Sequence, residues 1–109
     1  MSEHIPEQDW KRWQNLAPTL LNRFCDSVVA NAAGFTTGAS SGHEKFLALY
    51  RFVAESNSDI AVVFDNRRRS SAILQIAAAV VRGIMLESEL KAFSEDTQER
   101  VRRLVAFGP

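Results

Sequence analysis

The chain holds a single cysteine, Cys25, in 109 residues. One thiol excludes an intramolecular disulfide and any cysteine-rich metal site, and it fits a reducing cytoplasm, where we expect the protein to reside. Histidine is almost as scarce: His4 lies near the start and His43 beside a glycine-rich stretch, so no zinc constellation is expected. Net charge is missing as well. Thirteen basic and thirteen acidic residues cancel, which removes any overall field toward nucleic acid or anionic lipid and makes anion binding a local matter. No apolar run approaches the roughly 20 residues that span a bilayer, and the opening MSEHIPEQDW is polar and acidic, unlike a secretory signal. Neither GxxxxGK[ST] nor GxGxxG occurs, and no acidic loop resembles a calcium site. No cofactor, metal or membrane partner is therefore expected.

What is present is helical periodicity. Trp10, Trp13, Ala17, Leu20, Leu21, Phe24, Val28 and Ala32 recur at a 3.6-residue spacing and predict a long first helix. Pro18 interrupts the hydrogen-bond ladder but not the phase of the stripe, so we expect a kink there or two nearly collinear helices meeting near Leu16. Asn31 to Gly34 should end it, with Gly34 as a left-handed cap. Residues 34–42, GFTTGASSG, place three glycines and four hydroxyl side chains in nine positions and read as a connector. Ser41 with Glu44 three residues later fits a capping box for the next helix.

That helix, expected through about Glu55, carries Phe46, Leu49, Tyr50 and Val53 on one stripe, with Leu47 and Phe52 off it on either side. So broad an apolar surface asks for more than one neighbour. Ser56 to Asp59 form a polar break, after which Ile60 to Phe64 could be a buried strand or a short helix; helix is preferred because no other segment offers a strand partner. From Ser70 onward Ile73, Ile76, Ala77, Val80 and Ile84 share a face, and the surrounding alanines make a central buried helix. Gly83 should cap it. Leu86 to Phe93 reads as a short helix, and Ser94 with Glu95 and Asp96 starts a final one carrying Val101, Leu104 and Val105. The expectation is an all-α single domain over residues 1–109, a bundle of about five helices in which residues 1–5 lack order.

Three functional readings follow. The preferred one is a small non-enzymatic protein-interaction or regulatory module, homodimeric or bound to another protein, with Trp10, Trp13 and Phe52 as interface candidates because aromatic anchors dominate binding energy. A second is a nucleic-acid-binding regulator using Arg67, Arg68 and Arg69, although acids interleave the C-terminal arginines and a helix-turn-helix fit over Gln75 to Phe93 is spoiled by Glu89. The third is a phosphate or anion binder in which Arg67, Arg68, Arg69, Ser70 and Ser71 converge on the start of the central helix. Extending the apolar stripe backward reaches Arg69, which implies partial burial and a carboxylate partner such as Asp59, Asp65, Glu55 or Glu87. Ser40, Ser41, His43 and Cys25 lack any local arrangement of nucleophile and base, so an enzyme is not expected.

Overall fold

The computed structural model describes residues 4–107, and among these the chain forms five α-helices and no strand. Pro6 serves as the N-cap of α1 (Glu7–Ala32), its carbonyl accepting from the Trp10 N–H at 2.9 Å. The first-turn acids Glu7 and Asp9 suit the positive end of the helix dipole. Pro18 lies inside this helix on the solvent side. An exposed position lets water take up the carbonyl that proline leaves without a donor, and α1 continues through it as one element.

Gly34 does not cap α1 in the left-handed region. The chain instead tightens into a 3₁₀ turn over Ala33–Phe35, closed by the Thr36 N–H on the Ala33 carbonyl, and the positive φ falls on Gly38 farther along the loop. Ser41 then caps α2 (Gly42–Phe64), its hydroxyl accepting from the Glu44 N–H at 3.2 Å. The expected polar break at Ser56 to Asp59 is absent: α2 runs unbroken to Phe64. Ser56 is buried and turns its hydroxyl back onto the Phe52 carbonyl at 2.8 Å, which satisfies it within the helix. Packing against α1 outweighs the weak propensities of four consecutive polar residues.

A turn and a 3₁₀ segment (Arg69–Ser71) lead into α3 (Ala72–Val81). Its end is a Schellman motif: Ile84 N–H reaches the Ala79 carbonyl at 2.9 Å, Gly83 N–H reaches Val80, and Gly83 takes φ +70. α4 (Glu87–Leu90) and α5 (Glu95–Phe107) complete the chain. Ala72, Ala77, Ala78 and Ala79 are all buried, and such small side chains let α3 approach α5, α2 and α1 closely.

The core gathers at one end. Ile5, Trp13, Ala17 and Leu20 meet Val63, Phe64, Ile76, Leu90, Phe93 and Val101 there, with Trp13 stacked on Phe64 at a centroid distance of 6.4 Å. Ile5, within the stretch expected to lack order, is fully buried, and its carbonyl accepts from Arg69 Nε at 2.9 Å. The remainder of that expectation, for Met1 to Glu3, lies outside the described residues. Between Leu20 and Val63 the one buried residue is Ser56. The far half of the α1/α2 hairpin therefore projects from a helical head, giving a molecule of 57 × 26 × 24 Å.

Candidate functional site

The arginine turn begins where α2 stops. Asp65 is extended, Asn66 adopts a left-handed φ of 52, and the chain reverses. Asparagine tolerates that region better than other residues bearing a Cβ. Two side chains hold the reversal: Gln75 donates to the Asp65 carbonyl at 2.8 Å, and Ser71 Oγ accepts from the Arg68 N–H at 3.3 Å while lying 3.1 Å from the Arg68 carbonyl. Ser71 is thus committed to the turn.

The three guanidinium groups do not converge. Arg69 turns toward the start of the chain, bonding Glu7 at 2.6 Å and the Ile5 carbonyl, whereas Arg67 and Arg68 point into solvent, as does Ser70. Partial burial of Arg69 and its carboxylate partner follow from the apolar stripe, but the partner is Glu7 and none of Asp59, Asp65, Glu55 or Glu87. The reason is the ordered approach of residues 4–7, which no local spacing reveals. The helix also starts later than Ser70, at Ala72, because Arg69–Ser71 wind as 3₁₀.

The remaining arginines are largely matched by acids. Arg82 meets Asp59 at 3.0 Å, Arg102 meets Glu87 at 2.6 Å, and Arg100 and Arg103 face Asp96 and Glu99 one turn away. Arg23 grips Glu89 with two hydrogen bonds of 2.9 and 2.8 Å and also donates to the Ile84 carbonyl. This fork holds the Glu89 carboxyl below its ordinary range and raises the Arg23 guanidinium above its own.

Two of the recesses among the described residues bear on these side chains. A groove of about 610 Å³ runs along α1 and α4 past Lys11, Arg12, Asn15, Leu16, Ser88 and Glu89, with Glu89 already engaged by Arg23. A smaller one of about 360 Å³ lies between α2 and α3, rimmed by Val62 and Leu74. Gln75 lines it, yet its Oε1 is sealed from solvent and unpartnered. Among the described residues no three His, Cys, Asp or Glu side chains form a metal-binding group. Ser41 is used as a helix cap and His43 is exposed in the first turn of α2.

The aromatic candidates separate. Trp13 is fully buried in the core and offers no surface to a partner. Trp10 is half-buried against the same core, and Phe52 packs on Phe35 with centroids 5.0 Å apart, closing the far end of the hairpin. Large apolar side chains are left open at other positions: Phe46, Tyr50 and Val53 on α2 are 63%, 65% and 49% exposed and Val29 on α1 is 73% exposed, while Val62, Leu74, Val81, Leu86 and Phe107 are open elsewhere on the molecule. The spacing of Phe46, Tyr50 and Val53 announces one stripe in the sequence. What the sequence conceals is that the head covers only the lower part of the hairpin.

Val29 lies level with Phe46 across the antiparallel hairpin and on the side of α1 opposite Leu20, which is in the core. α3 sits against the other flank of α2, where Asp59 takes Arg82 and Val62 shares a recess with Leu74. Phe46, Tyr50, Val53 and Val29 thus form one apolar surface facing away from the head. No helix among the described residues is long and apolar enough to cross a membrane. No family model matches the chain, and no curated protein or solved structure shows significant similarity to it.

Proposed function

We propose that this chain is a small non-enzymatic protein-interaction module that works as a homodimer, joined through the outer surface of the projecting hairpin. The observation that supports it is the exposure of Phe46, Tyr50, Val53 and Val29 on one surface, beyond the reach of the head. Phe46 and Tyr50 contribute on the order of 250 Å² of open side chain, and the valines bring the patch to roughly 400 Å². A standard interface uses about 800 Å² per partner, a little over half of it apolar, so the patch supplies roughly what one protomer needs. Gross burial from two copies is on the order of 20 kcal/mol at 25 cal/mol/Å². Most of that is offset by lost rigid-body and side-chain freedom, which leaves association in about the micromolar range.

Of the arginine cluster only Arg67 and Arg68 stay open, while Arg69, Arg82 and Arg102 are held by Glu7, Asp59 and Glu87, with which a phosphate backbone would have to compete; this favours the dimer over nucleic-acid binding. Sedimentation equilibrium across a concentration series is the test. The wild-type chain should reach the mass of a dimer at micromolar concentration, and Phe46→Glu with Tyr50→Glu should give a folded monomer. A wild-type chain that stays monomeric at high micromolar concentration would sink the proposal.

A further inference from the structure

We infer that the second copy packs antiparallel, so that two hairpins form a four-helix bundle with a head at each end and Tyr50 near the two-fold axis; this rests on the dimer proposed above. The occupant follows from charge. His43, Phe46, Leu47, Tyr50, Val53, Ala54 and Asn57 recur at helical spacing down this side of α2 without a lysine, arginine, aspartate or glutamate. This stripe of α2 can meet its own copy without like-charge repulsion, whereas a partner chosen by charge finds nothing on it to pair with.

The direction follows from what lies at the two ends of the patch. Toward the tip, the loop GFTTGASSG carries no charge. Toward the head, Lys11 is largely exposed, 4.0 Å from the Glu7 carboxylate that Arg69 also holds, and stands about five helical turns before Val29, hence on the same side of α1. A parallel pair would set Lys11 beside its own copy, while an antiparallel pair sets it beside the partner's uncharged loop. Packing agrees. Antiparallel pairing brings the large Phe46 opposite the small Val53 of the partner subunit, whereas parallel pairing stacks large on large and leaves a gap between the valines.

Distance measurement between spin labels decides it. A label at Arg67→Cys in a Cys25→Ser background marks the head end of α2 at an exposed position, so the fold is not at risk. Arg67 lies just past the end of α2, whose last residue Phe64 stands about 21 Å along the helix from Tyr50, so an antiparallel dimer separates two labels by roughly 40 Å and a parallel one by roughly half that or less. Sedimentation of the same labelled sample fixes its mass. A dimer with the long distance supports the inference. A dimer with the short distance overturns it while the proposed dimer stands. A monomer removes both and leaves the surface to a different protein.

Discussion

The carboxylate of Asp9, near the start of the first helix, caps the last one: it accepts from the Ser94 N–H at 3.0 Å and from the hydroxyls of Ser94 and Thr97. Asp9 and Thr97 are buried, and the negative charge sits at the positive end of the α5 dipole. Removing it strands buried donors. Asp9→Ala should cost about 2 to 3 kcal/mol, more than Ser94→Ala at about 1 kcal/mol. Urea unfolding curves read both, and equal small shifts would show that the link between the chain's ends contributes little.

Trp13 is the largest fully buried side chain, stacked on Phe64. Its truncation to alanine should destabilise by about 3 to 5 kcal/mol. Its indole N–H has no partner, so Trp13→Phe removes an unsatisfied donor along with the lost volume and should cost markedly less. Thermal unfolding of the two variants orders them; a phenylalanine variant as unstable as the alanine one would contradict this account.

The three consecutive arginines should behave differently from one another. Arg69→Ala loses the bonds to Glu7 and the Ile5 carbonyl and should loosen residues 4–7. The cost is about 1 kcal/mol because both charged partners are partly exposed. Arg67→Ala and Arg68→Ala should be neutral within about 0.5 kcal/mol. Hydrogen exchange at the α1 start separates these cases, and equal protection in all three variants would refute the division.

Acid should weaken the joint between α1 and α4. Hydrogen bonding from Arg23 lowers the Glu89 pKa, so the pairing contributes fully above the ordinary glutamate value of about 4.3. That contribution is lost as pH falls through the lowered folded value. The matching rise in the Arg23 pKa matters only in strong alkali. Glu89→Gln should therefore flatten the acid limb of stability against pH while changing neutral stability by less than about 1 kcal/mol, given the solvent exposure of Arg23. An unchanged acid limb in the variant would assign it to other carboxylates.

Much of the fold is legible in local pattern. The Ser41 cap, the Gly83 terminus, the buried alanine helix and the short helix before Ser94 all depend on neighbours within a turn or two; the first two stand where spacing puts them, and the two helices are present but shorter than expected, Ala72–Val81 and Glu87–Leu90. The features beyond local pattern are tertiary. Ser56 is helical because α1 lies against α2, Ile5 is buried because a core receives it, and Arg69 finds Glu7 from 62 positions away. The site is legible only in part for the same reason. Phe46, Tyr50 and Val53 share a stripe in the sequence, but their openness depends on how far the head reaches up the hairpin.

The projecting hairpin also sets the apparent size of the molecule. Its radius of gyration is 16.5 Å, where a compact chain of this length would have about 13 Å, and 16.5 Å belongs to a compact chain of about 200 residues. In solution scattering a single copy will show the radius of gyration of a compact protein nearly twice its length, so that radius by itself mimics a dimer and the forward-scattered intensity tells the two apart.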